Sequence, residues 1–515
     1  MLSLERTIWI LCLSLAGACA GGEGSSATEG ASATTGEATT SSAATGEATT
    51  SGTATSAGES DATGGATTGG ATTGDATTTD ATTTSTTTGA STTGEATTGG
   101  DAGAYCDGAP AGRCAASIAA GYVHVCLRRE DGGVICWGEG HLGLLGRGDA
   151  RSFPDDANIG DDDVPSDYDD VAFGAEVLDV AAGAGHNCAV LAGGGVRCWG
   201  GALDGKLGYA DEWESLGDDE AMAMIPDVSV GGPAVAVTAH WNHSCALLEG
   251  GGVRCWGAGG QGKLGYGVGL GENIGDDEVP SESALIDVGG TVVALSAGGS
   301  HTCALLDSAE LRCWGINTYG QLGQPDYAHL GVKNHPAEAG SIDVGGPVLA
   351  VDTGQSHTCA LLEGGDLRCW GRNHYGQLGL GHTDDLGGDA PPSTIPLVDV
   401  GGAVVDFSVG VTHTCAILEG GDVRCWGENW SGKLGLGDGS EGHIGDDEVP
   451  ASVAPVDVGA PAVAISAGWQ HTCVMIEGGG VRCWGNNSHG QLGYGNNTII
   501  GDDESPAVAG DVPYL

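Results

Sequence analysis

Seven times between His124 and Gly485 the chain repeats one phrase, His-x-Cys followed by Cys-Trp-Gly, with nine residues between the two cysteines. The copies are anchored at His124, His186, His243, His301, His357, His413 and His471, 56 to 62 residues apart. A near-constant period of this size marks a repeat architecture, in which each unit buries its apolar surface against the next. A chain written this way folds as a ring or a stack of one unit.

One unit shows that the repeat is β. Val348 to Val351, His357 to Leu362 and Leu367 to Trp370 are short apolar runs separated by Gly-rich turns, with no helical period. They predict three strands. The recurring Asp-Val phrase (Asp287-Val288, Asp343-Val344, Asp399-Val400, Asp457-Val458) predicts a fourth, and four strands per unit predict a propeller blade. Because strand residues alternate faces, His357, Cys359 and Leu361 point one way and Thr358, Ala360 and Leu362 the other. Both sets are nearly apolar, as a blade held between two neighbours requires.

The cysteines bear on the compartment. Of 18, fourteen lie in the seven Cys-x9-Cys pairs: Cys126 and Cys136, Cys188 and Cys198, Cys245 and Cys255, Cys303 and Cys313, Cys359 and Cys369, Cys415 and Cys425, Cys473 and Cys483. Cys106 and Cys114 make an eighth short pair. Zinc sites draw ligands from closely spaced Cys-x2-4-Cys knuckles, which are absent, so local hairpin disulfides are expected and with them an oxidising environment.

The first residues agree. Residues 1–18 have a weakly charged start, an apolar stretch from Ile8 to Leu15 and small residues before Cys19, the make-up of a signal peptide too short for a lasting membrane span. Ala16-x-Ala18 suits an ordinary signal peptidase. A small residue before Cys19 also resembles a bacterial lipobox, and lipidation of Cys19 is the preferred reading, giving an outer-membrane lipoprotein of the cell envelope or else an extracellular protein. Residues 19–104, built almost wholly of Ala, Thr, Gly and Ser, cannot bury a core. They read as a disordered tether with a span on the order of 50 Å.

With 17 basic against 68 acidic residues the net charge is −51, so a phosphate backbone is repelled and nucleic acid is excluded as a partner. Part of the acidity is organised. Ile/Leu-Gly-Asp-Asp-Asp/Glu recurs after five of the seven Trp-Gly phrases, for example at Ile274 to Glu278 and Ile444 to Glu448. Clustered carboxylates such as Asp276, Asp277 and Glu278, or Asp446, Asp447 and Glu448, can hold calcium, which takes six to eight oxygens. The run lacks the spaced order of dedicated calcium loops, and an Asp-rich turn bonding its own backbone accounts for it equally. No cofactor is expected beyond this calcium.

The phrases Ala-Gly-x-x-His-Thr-Cys-Ala-Leu, Gly-x-Val/Leu-Arg-Cys-Trp-Gly and Asn-x-x-Gly-Gln-Leu-Gly, clearest at Ala297 to Gly323, Gly354 to Gly379 and Ala467 to Gly493, resemble the repeats of the regulator of chromosome condensation family. The resemblance covers all seven units and implies a seven-bladed β-propeller. It assigns no activity, because the family includes a nuclear nucleotide-exchange factor and a secreted bacterial β-lactamase inhibitor. The leader, the hairpin cysteines and the acidity point away from guanine-nucleotide exchange and chromatin. The expected organisation is therefore a Cys-paired segment over 105–116 and a propeller over 117–515. The first blade begins at Ser117 to Ala120 and is read as lacking its own Asp-Val strand, whereas the chain ends with Val508 to Val512, so a C-terminal strand is expected to close blade 1 and remove open sheet edges.

In a hairpin the loop entering the His strand and the loop leaving the Trp-Gly strand share one face, and here that face varies between units. It carries Tyr122, Trp241 and Trp469 two positions before the repeat His, and Tyr319, His374, Tyr375, Trp430 and His489 after Trp-Gly. Aromatic side chains on exposed loops are binding anchors, and blades 4 and 5, which lack the acidic phrase, mark the expected centre. The repeated His and Trp are read as core, and the Arg before the second Cys, in six units, as an interblade salt bridge. The sequence shows no nucleophile elbow, phosphate loop or metalloprotease helix. The expected function is a monomeric binding module for a protein or polysaccharide rather than an enzyme, with a surface enzyme acting on polysaccharide as the alternative.

Overall fold

Each repeat gives a three-stranded antiparallel meander because its apolar runs are five or six residues long and the turns between them are rich in Gly. The computed structural model describes residues 113–148, 158–210, 215–267, 272–325, 329–440 and 442–515. The leader, Cys19, the tether and Cys106 lie outside them. In blade 5 the strands are Val348–Thr353, His357–Leu362 and Leu367–Gly371, in register with Cys359 opposite Cys369 and His357 opposite Gly371. The same register recurs in all seven sheets, so the seven pairs of cysteines each meet across their own hairpin with Cα atoms 4.0 to 4.1 Å apart. All seven local disulfides are formed, and Cys114 is disulfide-bonded as well.

The expected four-stranded blade is corrected to three strands in six sheets, with a fourth, Ser215–Leu216, only in blade 2. At the outer edge the chain makes two separate contacts. The Ile or Leu before the Gly-Asp-Asp turn bridges the Gly of Trp-Gly, as Ile444 does with Gly427, and a residue some twelve positions on bonds the start of the same strand, as Val456 N does with Val423 O at 2.8 Å. Between them the chain leaves the sheet through the acidic turn and a short 3-10 helix, Pro450–Ser452. The Asp of Asp-Val is itself a turn residue: Asp287 Oδ1 accepts from Gly289 N at 3.1 Å and Asp457 Oδ1 from Gly459 N at 3.1 Å. An Asp side chain that takes the backbone N–H two residues on bends the chain instead of extending it.

Ring closure also differs from expectation. Val512 N donates to Val481 O at 2.8 Å, so the C-terminal segment completes blade 7, not blade 1. Blade 1 has its own edge segment in Val171-Ala172-Phe173-Gly174, held by Val171 N on Val134 O at 2.8 Å. Ala172 stands where blades 3 to 6 carry Asp, and the Asp-Val of this copy, Asp170-Val171, is shifted one position as it is in blade 7 at Asp511-Val512. The ring closes by side-on packing: Trp137 Nε1 donates to Gln491 O at 3.1 Å, and Trp469 N to Gly121 O at 3.3 Å.

One network repeats at each blade junction. All seven Trp are fully buried and so are all seven His. In blade 5 the Trp370 indole and the Thr358 hydroxyl both donate to Gln321 O of blade 4, at 3.0 and 2.8 Å. The Thr358 oxygen in turn meets His301 Nε2 at 2.9 Å. Since the hydroxyl proton is on the carbonyl, the imidazole must donate through Nε2, which fixes the tautomer of the neutral ring, and burial keeps it neutral. Six junctions carry this bond, with Asn187, Ser244, Thr302, Thr358, Thr414 and Thr472 as the receiving side chains. At the seventh, Val125 occupies that position, no side chain bonds either ring nitrogen of His471, and the one polar group acting favourably on the charged ring is the His124 backbone. Burial pushes the rings far down, His124 to about 4 and His301, His357 and His471 to about 3.

Candidate binding face

The loops before each His strand and after each Trp-Gly strand do lie on one face: Arg372 N donates to Ser356 O at 2.9 Å, and Ala258 N to Asn242 O at 2.8 Å. The sequence-expected residues there fall into two groups. Tyr122, Trp241 and Trp469 converge at the centre of the ring. Tyr122 stacks on Trp469 with centroids 3.8 Å apart and planes at 13°, and Trp241 of blade 3 approaches Tyr122 of blade 1 to 6.4 Å. Trp241 N donates to His240 Nδ1 at 2.8 Å, whereas Tyr122 and Trp469 are held there because each donates its backbone to the neighbouring blade, Tyr122 N to Gly183 O at 3.2 Å and Trp469 N to Gly121 O at 3.3 Å. The acceptor is Gly in six blades; a Cβ on Gly354 would stand 2.2 Å from Gly410 O, so the loops can approach this closely only without side chains.

The second group crosses blades 4, 5 and 6. Tyr319 lies edge-on to His374 at 6.1 Å, and Arg372 caps the Tyr319 ring at 5.0 Å. Arg372 Nε donates to His374 Nδ1 at 3.0 Å. Tyr375 then meets Trp430 at 5.7 Å and His443 at 5.2 Å. Trp430 is 51% exposed. His489 joins neither group; its backbone N–H is held by Gln491 Oε1 at 2.9 Å.

Sequence reasoning missed Arg372 and His443. His443 Nδ1 accepts from Asn429 N at 3.4 Å, as Asn273 Oδ1 does from Gly259 N and Asp385 Oδ1 from Asn373 N. A hydrogen-bond acceptor before the edge Ile or Leu therefore serves the turn after Trp-Gly, and this recurrence was the signal available. The interblade role expected for the repeat Arg is corrected. Arg254, Arg368 and Arg424 donate to Pro280 O, Pro392 O and Pro450 O at 2.8 to 2.9 Å, and Arg197 and Arg482 pair with Asp227 and Asp511. Each fastens the edge segment of its own blade, and Arg197 also donates across the junction to Phe173 O of blade 1 at 2.7 Å.

In five blades the acidic triplet brings three carboxylates within 4.8 Å of one another. Burial, followed by the neighbouring Asp carboxyls, raises Glu278, Glu448 and Glu504 to about 7. The turn does not depend on the charge. Gly160 N is held by Asp163 Oδ1 at 2.8 Å, and in blade 4 Gly331 N is held by Asn334 Oδ1 at 3.3 Å. The triplet Gly also docks on the preceding blade, where a Cβ on Gly376 would stand 2.3 Å from Asp446 N.

A model of the RCC1-like domain matches residues 158–510, and one of the regulator of chromosome condensation (RCC1) repeat matches residues 115–143. The chain belongs to the regulator of chromosome condensation repeat family. Among relatives, it is 33% identical over 325 residues to the ultraviolet-B receptor UVR8 of Arabidopsis thaliana, covering 62% of this chain and 68% of that one. It is 28% identical over 338 residues to the human E3 ubiquitin-protein ligase HERC2, covering 65% of this chain but only 6% of the ligase, so what is shared there is the repeat domain. In fold it resembles yeast RCC1 (Prp20) in its crystal structure with Kap60, at 18% identity and a TM-score of 0.56 over 76% of this chain and 85% of that one. It also resembles human WBSCR16, at 20% identity and a TM-score of 0.51 over 70% of this chain and 86% of that one. The seven disulfides accord with an oxidising environment, and among the described residues no helix is long and apolar enough to cross a membrane.

Proposed function

We propose that this RCC1-repeat propeller is a protein-binding module of the cell envelope, tethered by lipid on Cys19 or released outside the cell. The observation that carries the binding reading is the pair of aromatic contacts across blades 4 to 6, Tyr319 with His374 and Tyr375 with the half-exposed Trp430, which the adjacent residues His374 and Tyr375 bring side by side. Large aromatic rings left at a surface, with Arg beside them, are the residues that dominate protein interfaces. That a propeller of this family's fold is found with a protein partner, Kap60 on yeast RCC1, supports the same reading. The fold does not need these rings, since blades 1, 2 and 3 have His141 and Leu142, Leu203 and Asp204, and Gly260 and Gln261 in the corresponding turns.

The test is capture of partners from envelope extract by the full chain, followed by affinity measurement with the double variant Tyr319→Ala, Tyr375→Ala. A loss of about 1 to 2 kcal/mol or more is expected, the scale of interface hot spots, with unchanged thermal stability. Unaltered affinity removes this face from consideration.

A further inference from the structure

The position that supplies the shared junction carbonyl is occupied differently in each blade, and the differences single out one region of the binding face. It is Leu144, Lys206, Lys263, Gln321, Gln377, Lys433 and Gln491 in blades 1 to 7. The Gln side chains are used locally; Gln321, Gln377 and Gln491 each accept from the backbone two residues before them, at 2.9 Å. Lys433 is fully buried with a built-in counter-ion: its ammonium pairs with Glu428, the residue after Trp-Gly, and donates to Thr412 Oγ1, the residue before the repeat His, at 2.9 Å.

Lys206 and Lys263 have neither partner. The residues at the Glu428 position are Gly201 and Ala258. At the Thr412 position stand Gly185, whose Cβ would lie 3.6 Å from Lys206 Nζ, and Asn242, whose amide is turned onto Asp204 Oδ2 at 3.2 Å. Both lysines are nonetheless only 7% and 9% exposed, and neither ammonium makes a hydrogen bond or ion pair with the described residues. Asp204 is the one carboxylate acting on both, and burial, the larger effect, pushes both ammoniums below their ordinary range. Two mostly buried lysines whose Nζ atoms still reach solvent share this one carboxylate, which leaves one positive charge without a counter-ion among the described residues. Such a charge is costly unless an anion completes it. Half-buried Trp241 is the neighbour in sequence of Asn242, on the loop that leads into the blade 3 His strand.

We propose that blades 2 and 3 form an anion-binding recess, with Lys206 and Lys263 as the cationic walls, that takes a carboxylate at the place Glu428 fills in blade 6. A net charge of −51 on the rest of the chain repels polyanions, so the ligand presents a compact carboxylate with an apolar portion against Trp241. An acidic side chain of a protein partner, which rests on the protein-binding reading above, and a free dicarboxylate share this chemistry.

Succinate and a blocked aspartate (N-acetyl-aspartate-N-methylamide) are titrated into the full chain at fixed ionic strength, with chloride as the ionic control, by calorimetry and thermal shift. Saturable binding is expected. The source is read from which carboxylate binds more tightly. Binding should weaken at least tenfold in Lys206→Met, Lys263→Met. It should weaken equally in Ala258→Glu, which keeps Lys263 and supplies the internal counter-ion of blade 6, and which should also melt no lower than the unaltered chain. No saturable binding to the unaltered chain, or binding unchanged in whichever variant folds, overturns the recess. Since no partner protein enters this measurement, its failure is separate from failure of the aromatic face.

Discussion

Acid should dismantle this propeller through its histidines. All seven repeat His are fully buried and neutral. Their folded-state values are about 4 for His124, about 3 for His301, His357 and His471, and well below the ordinary 6.5 for His186, His243 and His413. In every case burial is the leading cause. A base whose folded value is depressed leaves the unfolded chain binding more protons below pH 6.5, so stability is complete above 6.5 and falls as pH drops toward 3 to 4. At about 1.4 kcal/mol per pH unit per ring, each His costs about 2 kcal/mol at pH 5.0, and seven cost about 14 kcal/mol. A domain's whole stability is about 5–15 kcal/mol. The raised Glu278, Glu448 and Glu504 act in the opposite sense, favouring the folded state as pH falls from 7 toward 4.5. They are only half-buried, so solvent screening reduces the offset they supply. The assay is a guanidinium unfolding series at pH 7.5, 6.5, 5.5 and 5.0, on the unaltered chain and on His357→Gln. Stability should collapse between pH 6 and 5, and the variant should lose about one seventh of the pH slope. A midpoint that does not move between pH 7.5 and 5.0 would refute the buried-neutral account of these rings.

Val125→Thr should restore the missing hydroxyl at the closing junction, between His471 and Gln491 O, and raise stability by about 0.5 to 1.5 kcal/mol, the net worth of one hydrogen bond; a lower melting temperature would show that this junction differs in geometry from the other six. Peptide mapping without reduction should find the seven hairpin disulfides, and replacing Cys359 and Cys369 together with Ala should cost roughly 3 kcal/mol, the chain-entropy estimate for a loop of about eleven residues. Links between distant blades would contradict the register. Cys19→Ser should move the chain from the membrane to the soluble fraction, and unchanged fractionation removes the lipid anchor.

The blades were legible because the residues that build them do the same task seven times. His-x-Cys and Cys-Trp-Gly are fixed in all seven blades by the junction network and by the Cys-Cys register, so the period, the strand pair, the disulfides and the buried His and Trp could all be read directly. Repetition, however, reports a shared position and not a conformation. Asp-Val recurs in register only in blades 3 to 6, where its Asp side chains bend the chain, and in blades 1, 2 and 7 it is shifted by one residue, as at Asp170-Val171. The binding face was legible only as a set of places where repetition lapses. That located Tyr122, Trp241 and Trp469 together, and Tyr319 to Trp430 together, but it could not say which aromatics touch, because the contacts join blades some 56 to 62 residues apart.

The lysines show what a lapse in the repeat can and cannot reveal. In the sequence Lys206, Lys263 and Lys433 are three copies of one Gly-Lys-Leu-Gly phrase and look equivalent. Only when the blades are compared position by position in space does the difference emerge, since Glu428 and Thr412 enclose Lys433 whereas Gly201, Ala258 and Gly185 leave the other two open. What distinguishes them is the identity of residues five positions before and some twenty positions before each lysine. The hairpin register brings those residues to one place, and a linear reading has no reason to compare them. Specificity on a repeat scaffold resides in such missing partners, because the fold tolerates a gap in one blade while its neighbours hold the ring closed.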